Sequence, residues 1–179
     1  MARLAYPDPG ALPPETAAVL TTLPVRNVFK MMAHATTLAP PVFEFVNALF
    51  KGMQLDARLR QVAILRVGYL CESAYEAYHH EKAGRAARLS AEEMGALKKG
   101  ASQHCLGPRE IAVARFAEEM TTQVKASEPA FAAVQAFLSE REMVELAMVV
   151  GFYNMVSRFL ESLEIEVEPR IPRPTSQRA

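Results

Sequence analysis

Tryptophan is absent from this sequence of 179 residues, and cysteine occurs only twice, as Cys71 and Cys105. The two cysteines lie far apart and form neither a disulfide framework nor a CxxC pair, so we expect a reducing, cytoplasmic environment. Basic and acidic residues number 20 each, which gives a formal net charge of zero. Without a basic field the chain is not expected to bind nucleic acid.

Targeting and membrane signals are also lacking. The N-terminus, MARLAYPDPGALPPE, has no basic start followed by an apolar core. No apolar run approaches the roughly 20 residues that a membrane helix requires, so we expect no membrane partner. Glycine-rich phosphate loops, GxSxG elbows and zinc-ligand spacings are missing as well, and we expect neither a cofactor nor a metal.

The distribution of apolar residues predicts an all-α fold. Half of the residues are hydrophobic, and they recur at steps of three and four, whereas sustained period-two alternation and Asn-Gly or Asp-Gly hairpin turns are missing. The length fits one domain that can bury a sizeable core without a disulfide or metal. We therefore expect a single-domain helical bundle of about eight to nine helices.

Prolines and capping residues divide the chain. Residues 1–13 are rich in proline and predict an irregular lead-in, residues 14–168 form the helical domain, and residues 169–179 form a Pro-rich tail. Two capping boxes, Ser90 with Glu93 and Ser139 with Glu142, predict helix starts. The helix that begins near Ala57 is apolar on nearly every side, which is typical of a bundle centre or a subunit interface.

The stretch CESAYEAYHH, residues 71–80, concentrates polar groups directly after that apolar helix. On a continuous helix, Ser73, Glu76 and His80 stand at i, i+3 and i+7 and share one face, whereas Cys71 and His79 fall off it. A carboxylate one turn from an imidazole can hold its tautomer for general acid/base catalysis. The same spacing is also common on solvated helix faces, so both interpretations stay open at this point.

Metal binding is the weaker interpretation of this stretch. Glu76 and His79 form Glu-x-x-His, the pair that each of two helices contributes to di-iron bundles. One copy is insufficient, and no second copy occurs in the sequence. We therefore expect no metal at these residues.

The longer run LRQVAILRVGYLCESAYEAYHHEKAGRAARLSAEEMGAL resembles the core motif of the carboxymuconolactone decarboxylase and alkylhydroperoxidase D superfamily. The matching features are an arginine-flanked apolar helix, a YExxHH segment, and a helix of small residues that closes with LSxEExxAL. The resemblance implies an alkylhydroperoxidase D-like (AhpD-like) helical bundle. It also implies a homo-oligomer, as a dimer, trimer or hexamer, with a site for a small-molecule substrate at a helix pair.

The residues of the alkylhydroperoxidase D pattern, a glutamate, two cysteines and a histidine, fall on Gln61, Ser73, Glu76 and His80. Only the histidine is retained, and serine and glutamate cannot perform a thiol peroxidase cycle. The resemblance to the decarboxylase branch, which lacks the cysteine pair, therefore implies lyase-type acid/base chemistry. We predict catalytic roles for His80, Glu76 and Ser73. We predict substrate-binding roles for Arg66, Gln61 and Tyr75, with Arg85 as the alternative cation for a substrate carboxylate.

Two alternatives remain open from the sequence. The first is a peroxidase-type oxidoreductase that uses Cys71, a cysteine outside any CxxC motif. The second is a catalytically silent oligomer that serves as a binding protein.

Overall fold

The computed structural model describes residues 1–101 and 104–169. Within these residues it contains nine α-helices, one short 3₁₀ turn at Pro9–Ala11 and no strand, which confirms the all-α prediction. In chain order the helices are α1 (Pro14–Leu20), α2 (Asn27–Met32), α3 (Ala39–Lys51), α4 (Ala57–Leu70), α5 (Ala74–Ala86), α6 (Ala91–Lys99), α7 (Pro108–Gln123), α8 (Glu128–Gln135) and α9 (Glu140–Leu163).

Helix α4 lies at the centre of the bundle. Every residue from Gln61 to Gly68 is buried, because α4 packs against α5, α6, α7 and α9 at once. Its apolar side chains join those of α7 and α9 in the main core. An apolar surface on all sides of a helix is stable only when every side has a partner, and this arrangement supplies one. The structure thus bears out the central position predicted for this helix.

Both predicted capping boxes are present at helix starts. At α6, Ser90 N donates to Glu93 Oε2 at 2.8 Å and Glu93 N donates to Ser90 Oγ at 3.1 Å. At α9, Ser139 and Glu142 make the same reciprocal pair at 2.8 and 3.3 Å. Each box satisfies backbone donors that have no partner inside the helix, and so fixes where the helix begins.

Residues 71–80 do not lie on one continuous helix, because the chain turns between α4 and α5 and α5 begins only at Ala74. Glu72 has a φ of 53°, in the left-handed region, which ends α4. The Ser73 amide then donates to the Gly68 carbonyl at 2.9 Å. A Cβ atom at Gly68 would lie 3.2 Å from Glu76 Cβ, so the glycine permits the close approach of α5 to α4.

The N-terminal lead-in pairs with the segment that follows α9. Arg3 N donates to the Leu163 carbonyl at 2.9 Å, and Ala2 N donates to Glu166 Oε2 at 2.8 Å. These contacts bring the two ends of the described chain together beside α2 and α5. Of the predicted tail, only Pro169 belongs to the described residues.

Among the described helices, α9 has the length and composition of a possible membrane span, with a mean hydropathy of 1.3 over its most apolar window. Of that window, 44% is buried inside the protein, where α9 packs against α4 and α7. The central helix of a water-soluble bundle has the same character, so this is weak evidence for a membrane.

The carboxylate of Glu119, on α7, anchors the start of α8. It accepts hydrogen bonds from Ser127 N at 2.7 Å and Arg115 Nε at 3.0 Å. The bonds from Ser127, and then the one from Arg115, lower the pKa of Glu119 from 4.5 to about 2. Because the pKa of Glu119 is lower in the folded state than in the unfolded state, the ionised carboxylate stabilises the fold. This stabilisation is complete above pH 4.5 and is lost as the pH falls toward 2.

We expect Glu119→Gln to lower the melting temperature at pH 7 by a few degrees, since charge-assisted hydrogen bonds contribute about 1.5–3 kcal/mol each. Thermal melts of both proteins between pH 7 and pH 2 measure the effect, and the difference should shrink as the acid protonates Glu119 in the wild type. Glu44→Gln, at an exposed position on α3, is the matched control. If wild type and Glu119→Gln differed in melting temperature by the same amount at every pH, this role for the carboxylate would be contradicted.

Candidate active site

A cavity of about 320 Å³ opens between α2, α3, α5 and α9. Its volume lies within the range of small-molecule sites. Most of its walls are apolar, with Phe29, Val46, Phe152 and Val156 among them. Glu76 and His80, both on α5, line the same cavity, so the two residues predicted to perform acid/base chemistry face an enclosed apolar space.

His80 lies between two oxygen atoms. Its Nε2 is 3.2 Å from Glu76 Oε2, one helical turn earlier on α5, and its Nδ1 is 2.9 Å from Gln61 Oε1 on α4. All three residues are buried, with 6%, 4% and 3% of their surfaces exposed for His80, Glu76 and Gln61. The close packing at Gly68 brings the two helices within reach of this contact.

The protons of this arrangement follow from the groups involved. The amide oxygen of Gln61 only accepts, so Nδ1 carries a proton and donates it. The opposite nitrogen, Nε2, faces the carboxylate of Glu76 at the cavity wall. A carboxylate and an imidazole in contact at such a wall are the groups that general acid/base catalysis uses.

Tyr153, on α9, is a second polar group at this wall. Its ring packs edge-on against the His80 ring at 4.9 Å between centroids. Burial, together with the negative charge of Glu76, raises the pKa of Tyr153 well above 10, so its hydroxyl stays protonated. Within the described part of the chain that hydroxyl makes no hydrogen bond, which leaves it able to donate to an oxygen of a ligand. Tyr153 was not among the site residues predicted from the sequence.

The ring of Tyr75 lines the cavity, but its hydroxyl is occupied. It donates to the carboxylate of Glu168, in the segment after α9, and accepts from Val28 N at 3.3 Å. Burial and this bond raise the pKa of Tyr75. Tyr75 therefore shapes the wall through its ring, and its contacts do not favour substrate binding through the hydroxyl.

His79 also lines the cavity, which corrects the expectation that it falls off the reactive face. Its Nε2 lies 2.8 Å from Glu168 Oε2, although not in the alignment of a hydrogen bond. Burial, and then the charge of Arg26, lowers the pKa of His79, while Glu168 opposes the shift. A neutral imidazole at neutral pH follows from the lowered pKa.

Ser73 is the N-cap of α5 rather than a residue of the cavity wall. Its Oγ accepts from Glu76 N at 3.5 Å, and the residue is 1% exposed. A cap of this kind fixes the first turn of the helix. Ser73 thereby positions Glu76, but it makes no contact with His80 and gives no support to its predicted catalytic role.

Arg66 lies in the core beside α6 and α7 and does not line the cavity. Its guanidinium binds Glu118 Oε2 at 3.0 Å through Nε and at 2.8 Å through Nη2, and it donates to the Leu97 carbonyl at 2.9 Å. The residue is 5% exposed. These contacts use its charge within the bundle, and the predicted role in holding a substrate finds no support in them.

Two other cations line the cavity, Arg26 before α2 and Lys51 at the end of α3. The guanidinium of Arg26 makes no hydrogen bond or ion pair within residues 1–101 and 104–169. An unpaired cation at an apolar wall attracts an anionic ligand group. Arg26 was not predicted from the sequence, because no motif near Pro24 links this residue to α5, which lies about 50 residues later.

Neither cysteine belongs to this cavity. Cys71 ends α4 and lines a separate cavity, and Cys105 lies before α7; both thiols are free. In the described part of the chain, no group of three or more His, Cys, Asp or Glu residues is placed to hold a metal ion.

Comparison with known proteins places this site in a family context. Residues 38–119 match the model of the Carboxymuconolactone decarboxylase family. This range includes Gln61, Glu76 and His80 but neither Arg26 nor Tyr153. No curated protein matches the chain.

Solved structures share the fold across nearly the whole chain. An uncharacterized peroxidase-related protein with an alkylhydroperoxidase AhpD core, from Ralstonia eutropha JMP134, superposes with a TM-score of 0.81 at 18% identity, covering 96% of this chain and 98% of its own. A peroxidase-related protein from Silicibacter sp. TM1040 gives 0.79 at 21% identity, with coverages of 93% and 92%. The debrominase Bmp8, in complex with 2,3,4-tribromopyrrole, gives 0.74 at 13% identity, with coverages of 94% for both chains.

These matches confirm the resemblance drawn from the sequence. At these identities the structural likeness establishes the fold alone, and the family model covers the helices that carry the histidine site. The chain thus has the alkylhydroperoxidase D-like fold, and its residues 38–119 are similar to the Carboxymuconolactone decarboxylase family.

Proposed function

We propose that this protein is an enzyme that performs acid/base chemistry on a small organic anion, with His80 as the proton carrier. The observation that carries the proposal is the buried pair of His80 and Glu76 at the wall of an apolar cavity that also holds Arg26, whose guanidinium has no partner among the described residues. An isolated helix-surface pair would face water, whereas this pair faces a space suited to a ligand.

The proposed reaction is of the decarboxylase type. The substrate's anionic group binds Arg26, and its apolar body lies against the walls. Loss of carbon dioxide leaves an electron pair on carbon, which a neighbouring carbonyl takes up while the Tyr153 hydroxyl donates to the carbonyl oxygen. A proton held by the pair of His80 and Glu76 then passes to that carbon, and water restores it.

The structural neighbours support parts of this proposal. The debrominase is bound to a brominated pyrrole, so a protein of this fold can hold a small ring compound. Two other neighbours are described as peroxidase-related. In this chain the cavity wall holds Glu76 and His80 but no thiol, so a cysteine-based reaction does not fit this site.

A substrate panel tests the proposal. Small lactones, keto acids, halogenated aromatic acids and hydroperoxides are incubated with wild type and with His80→Ala, and product formation is followed by mass spectrometry. We expect a carboxylate-bearing substrate to turn over in the wild type only. If His80→Ala converted every active compound at the wild-type rate, the role of His80 as proton carrier would be refuted.

We propose, in addition, that the chain forms a homo-oligomer through α9. Val144, Met148 and Met155 are 60%, 48% and 47% exposed and lie at i, i+4 and i+11, with the exposed Gly151 between them. The stripe can meet the same stripe of a second copy about a twofold axis, and the glycine lets two helices approach closely.

Light scattering at micromolar concentrations should give a mass of at least twice the 19.8 kDa of one chain. Joint replacement of Val144 and Met148 by glutamate should shift the mass toward the monomer, because apposed charges oppose association. Val124→Glu, at a position that is 88% exposed after α7, is the matched control and should leave the mass unchanged. A wild-type mass of 19.8 kDa throughout would contradict the oligomer.

A further inference from the structure

The proposed reaction gives no role to His79, although this residue lies on α5 and lines the cavity. Its Nε2 is 2.8 Å from Glu168 Oε2, in the segment after α9, and Glu168 is not itself among the residues that line the cavity. Nε2 is buried at this contact. The side chain of His79 as a whole is 11% exposed, so the ring borders the cavity through its other atoms.

The carboxylate of Glu168 is fixed in position against this imidazole. Its Oε1 accepts from the Tyr75 hydroxyl and from the Asn27 amide, which leaves Oε2 facing His79. Burial raises the pKa of Glu168, but the bonds from Tyr75 and Asn27 outweigh it and lower this pKa below 4.5. At neutral pH, His79 therefore faces an ionised group that only accepts hydrogen bonds.

This contact selects one tautomer of His79. An imidazole 2.8 Å from an ionised carboxylate is stable with its proton on Nε2, which leaves a free lone pair on Nδ1. Nδ1 has no hydrogen-bond partner among the described residues. The rings of Tyr75 and Tyr78 pack on the imidazole, with centroids 4.6 and 5.1 Å away, and hold its orientation. Nδ1 is thus a fixed acceptor available to a ligand.

The anion site of the proposed function lies close to this acceptor. Burial, and then the charge of Arg26, lowers the pKa of His79, so the ring is neutral at neutral pH. The same charge acts on Tyr153 across the cavity wall. A ligand whose anionic group binds Arg26 therefore places its adjacent atoms beside His79.

We propose that His79 is a specificity-determining residue, oriented by Glu168, that accepts a hydrogen bond from a hydroxyl group next to the anionic group of the substrate. The substrate class is then a small hydroxylated organic acid with an apolar body. The inference rests on the anion site of the proposed function but not on its decarboxylation step. An ether oxygen at the same position cannot donate, and its lone pairs repel the lone pair of Nδ1.

Three acids that differ at one position test this recognition. Phenyllactate carries a hydroxyl group, phenylpropanoate carries hydrogen, and O-methyl phenyllactate carries an ether oxygen, while all three share a carboxylate and a phenyl ring. Isothermal titration calorimetry at neutral pH measures the Kd of each. We expect wild type to bind phenyllactate about five- to tenfold more tightly than either of the others, as for the gain of one hydrogen bond.

Glu168→Gln is the variant that tests the tautomer. The oxygen of its side-chain amide can still accept from Tyr75 and Asn27, so its nitrogen faces His79 and donates to Nε2. The proton of the imidazole then lies on Nδ1, which donates equally well to a hydroxyl or an ether oxygen. The ratio of Kd for O-methyl phenyllactate to Kd for phenyllactate should therefore fall to about one.

Two further variants separate this effect from a loosened fold. Glu164→Gln, in the same segment, removes an ion pair with Arg3 at 2.7 Å and should keep the wild-type ratio. His79→Phe should bind phenylpropanoate as wild type does but lose the preference for phenyllactate. Circular dichroism checks that each variant is folded.

The outcomes distinguish this inference from the proposed function. Equal affinity of wild type for the three acids would overturn the role of His79, as would a wild-type ratio in both Glu168→Gln and His79→Phe. Arg26→Gln should weaken all three acids by the same factor; if it changes none of them while wild type still prefers phenyllactate, the anion site fails and the role of His79 stands. No binding of any of the three at millimolar concentration would overturn both.

Discussion

Replacing His80 with asparagine is expected to lower kcat on the natural substrate by about 10²- to 10⁴-fold, the usual contribution of a general acid or base. Asparagine is close to histidine in size and can still form a hydrogen bond with Gln61, so the cavity keeps its shape. It has no ring nitrogen that can give or take a proton beside Glu76 Oε2, which lies 3.2 Å from Nε2 of His80 in the wild type. KM should change little, because the anionic group binds at Arg26.

Steady-state kinetics of three variants measure this effect. His34→Asn is the matched control, since that exposed imidazole contacts only the Ala5 carbonyl, at 2.8 Å, among the described residues. The kcat of Glu76→Gln should lie between those of the control and of His80→Asn. We expect it to fall by about tenfold or more, because the glutamine side chain keeps the shape of glutamate but not its charge. A value of kcat for His80→Asn equal to that of His34→Asn would contradict the acid/base role.

Replacing Arg26 with glutamine is expected to raise KM for an anionic substrate by about 10- to 100-fold, as for the loss of a charged hydrogen-bonding group worth about 1.5–3 kcal/mol. The guanidinium lines the cavity and has no hydrogen-bond or ion-pair partner among the described residues. The proton carrier is untouched, so kcat should change much less than KM.

A comparison of charged and neutral substrates tests the role of Arg26 more sharply than KM for the anion alone. A neutral ester or amide of the same substrate should bind wild type and Arg26→Gln with similar affinity, because neither form offers a charge to the guanidinium. Arg109→Gln is the matched control; this exposed arginine stacks on Phe137 at 5.1 Å, away from the cavity. An equal rise in KM for the anion and its neutral analogue would show that the variant distorts the cavity rather than removes an anion site.

Local sequence signals were enough to predict the helices. Capping boxes mark the starts of α6 and α9 because they satisfy backbone groups locally. The apolar surface of α4 requires a central position in the bundle. The spacing of Glu76 and His80, one helical turn apart, likewise follows from helix geometry alone. The core of the candidate site could thus be predicted from ten residues.

The conformation of the turn between α4 and α5 could not be predicted, because Cys71, Glu72 and Ser73 include neither glycine nor proline. Glu72 adopts a left-handed φ of 53° that its own side chain does not favour. The packing of α5 against α4, which Gly68 permits, holds that conformation in place. Tertiary contacts of this kind leave no local signal in the sequence.

Partners that are distant in sequence account for the remaining differences. Arg66 binds Glu118, 52 residues away, and Tyr75 binds Glu168, 93 residues away. The sequence around Arg66 and Tyr75 does not indicate these distant partners. The sequence therefore predicted substrate-binding roles for both residues. The cavity wall also includes Arg26 and Tyr153, which lie near opposite ends of the chain.

The central claim is that chemistry in this protein depends on the imidazole of His80 and not on a thiol. The most direct measurement compares kcat/KM for one active substrate among wild type, His80→Asn and a double variant with serine at Cys71 and Cys105. The account predicts a loss of at least about 10²-fold for His80→Asn and nearly unchanged kcat/KM for the cysteine-free protein. Activity that survives in His80→Asn but disappears with the two cysteines would contradict it.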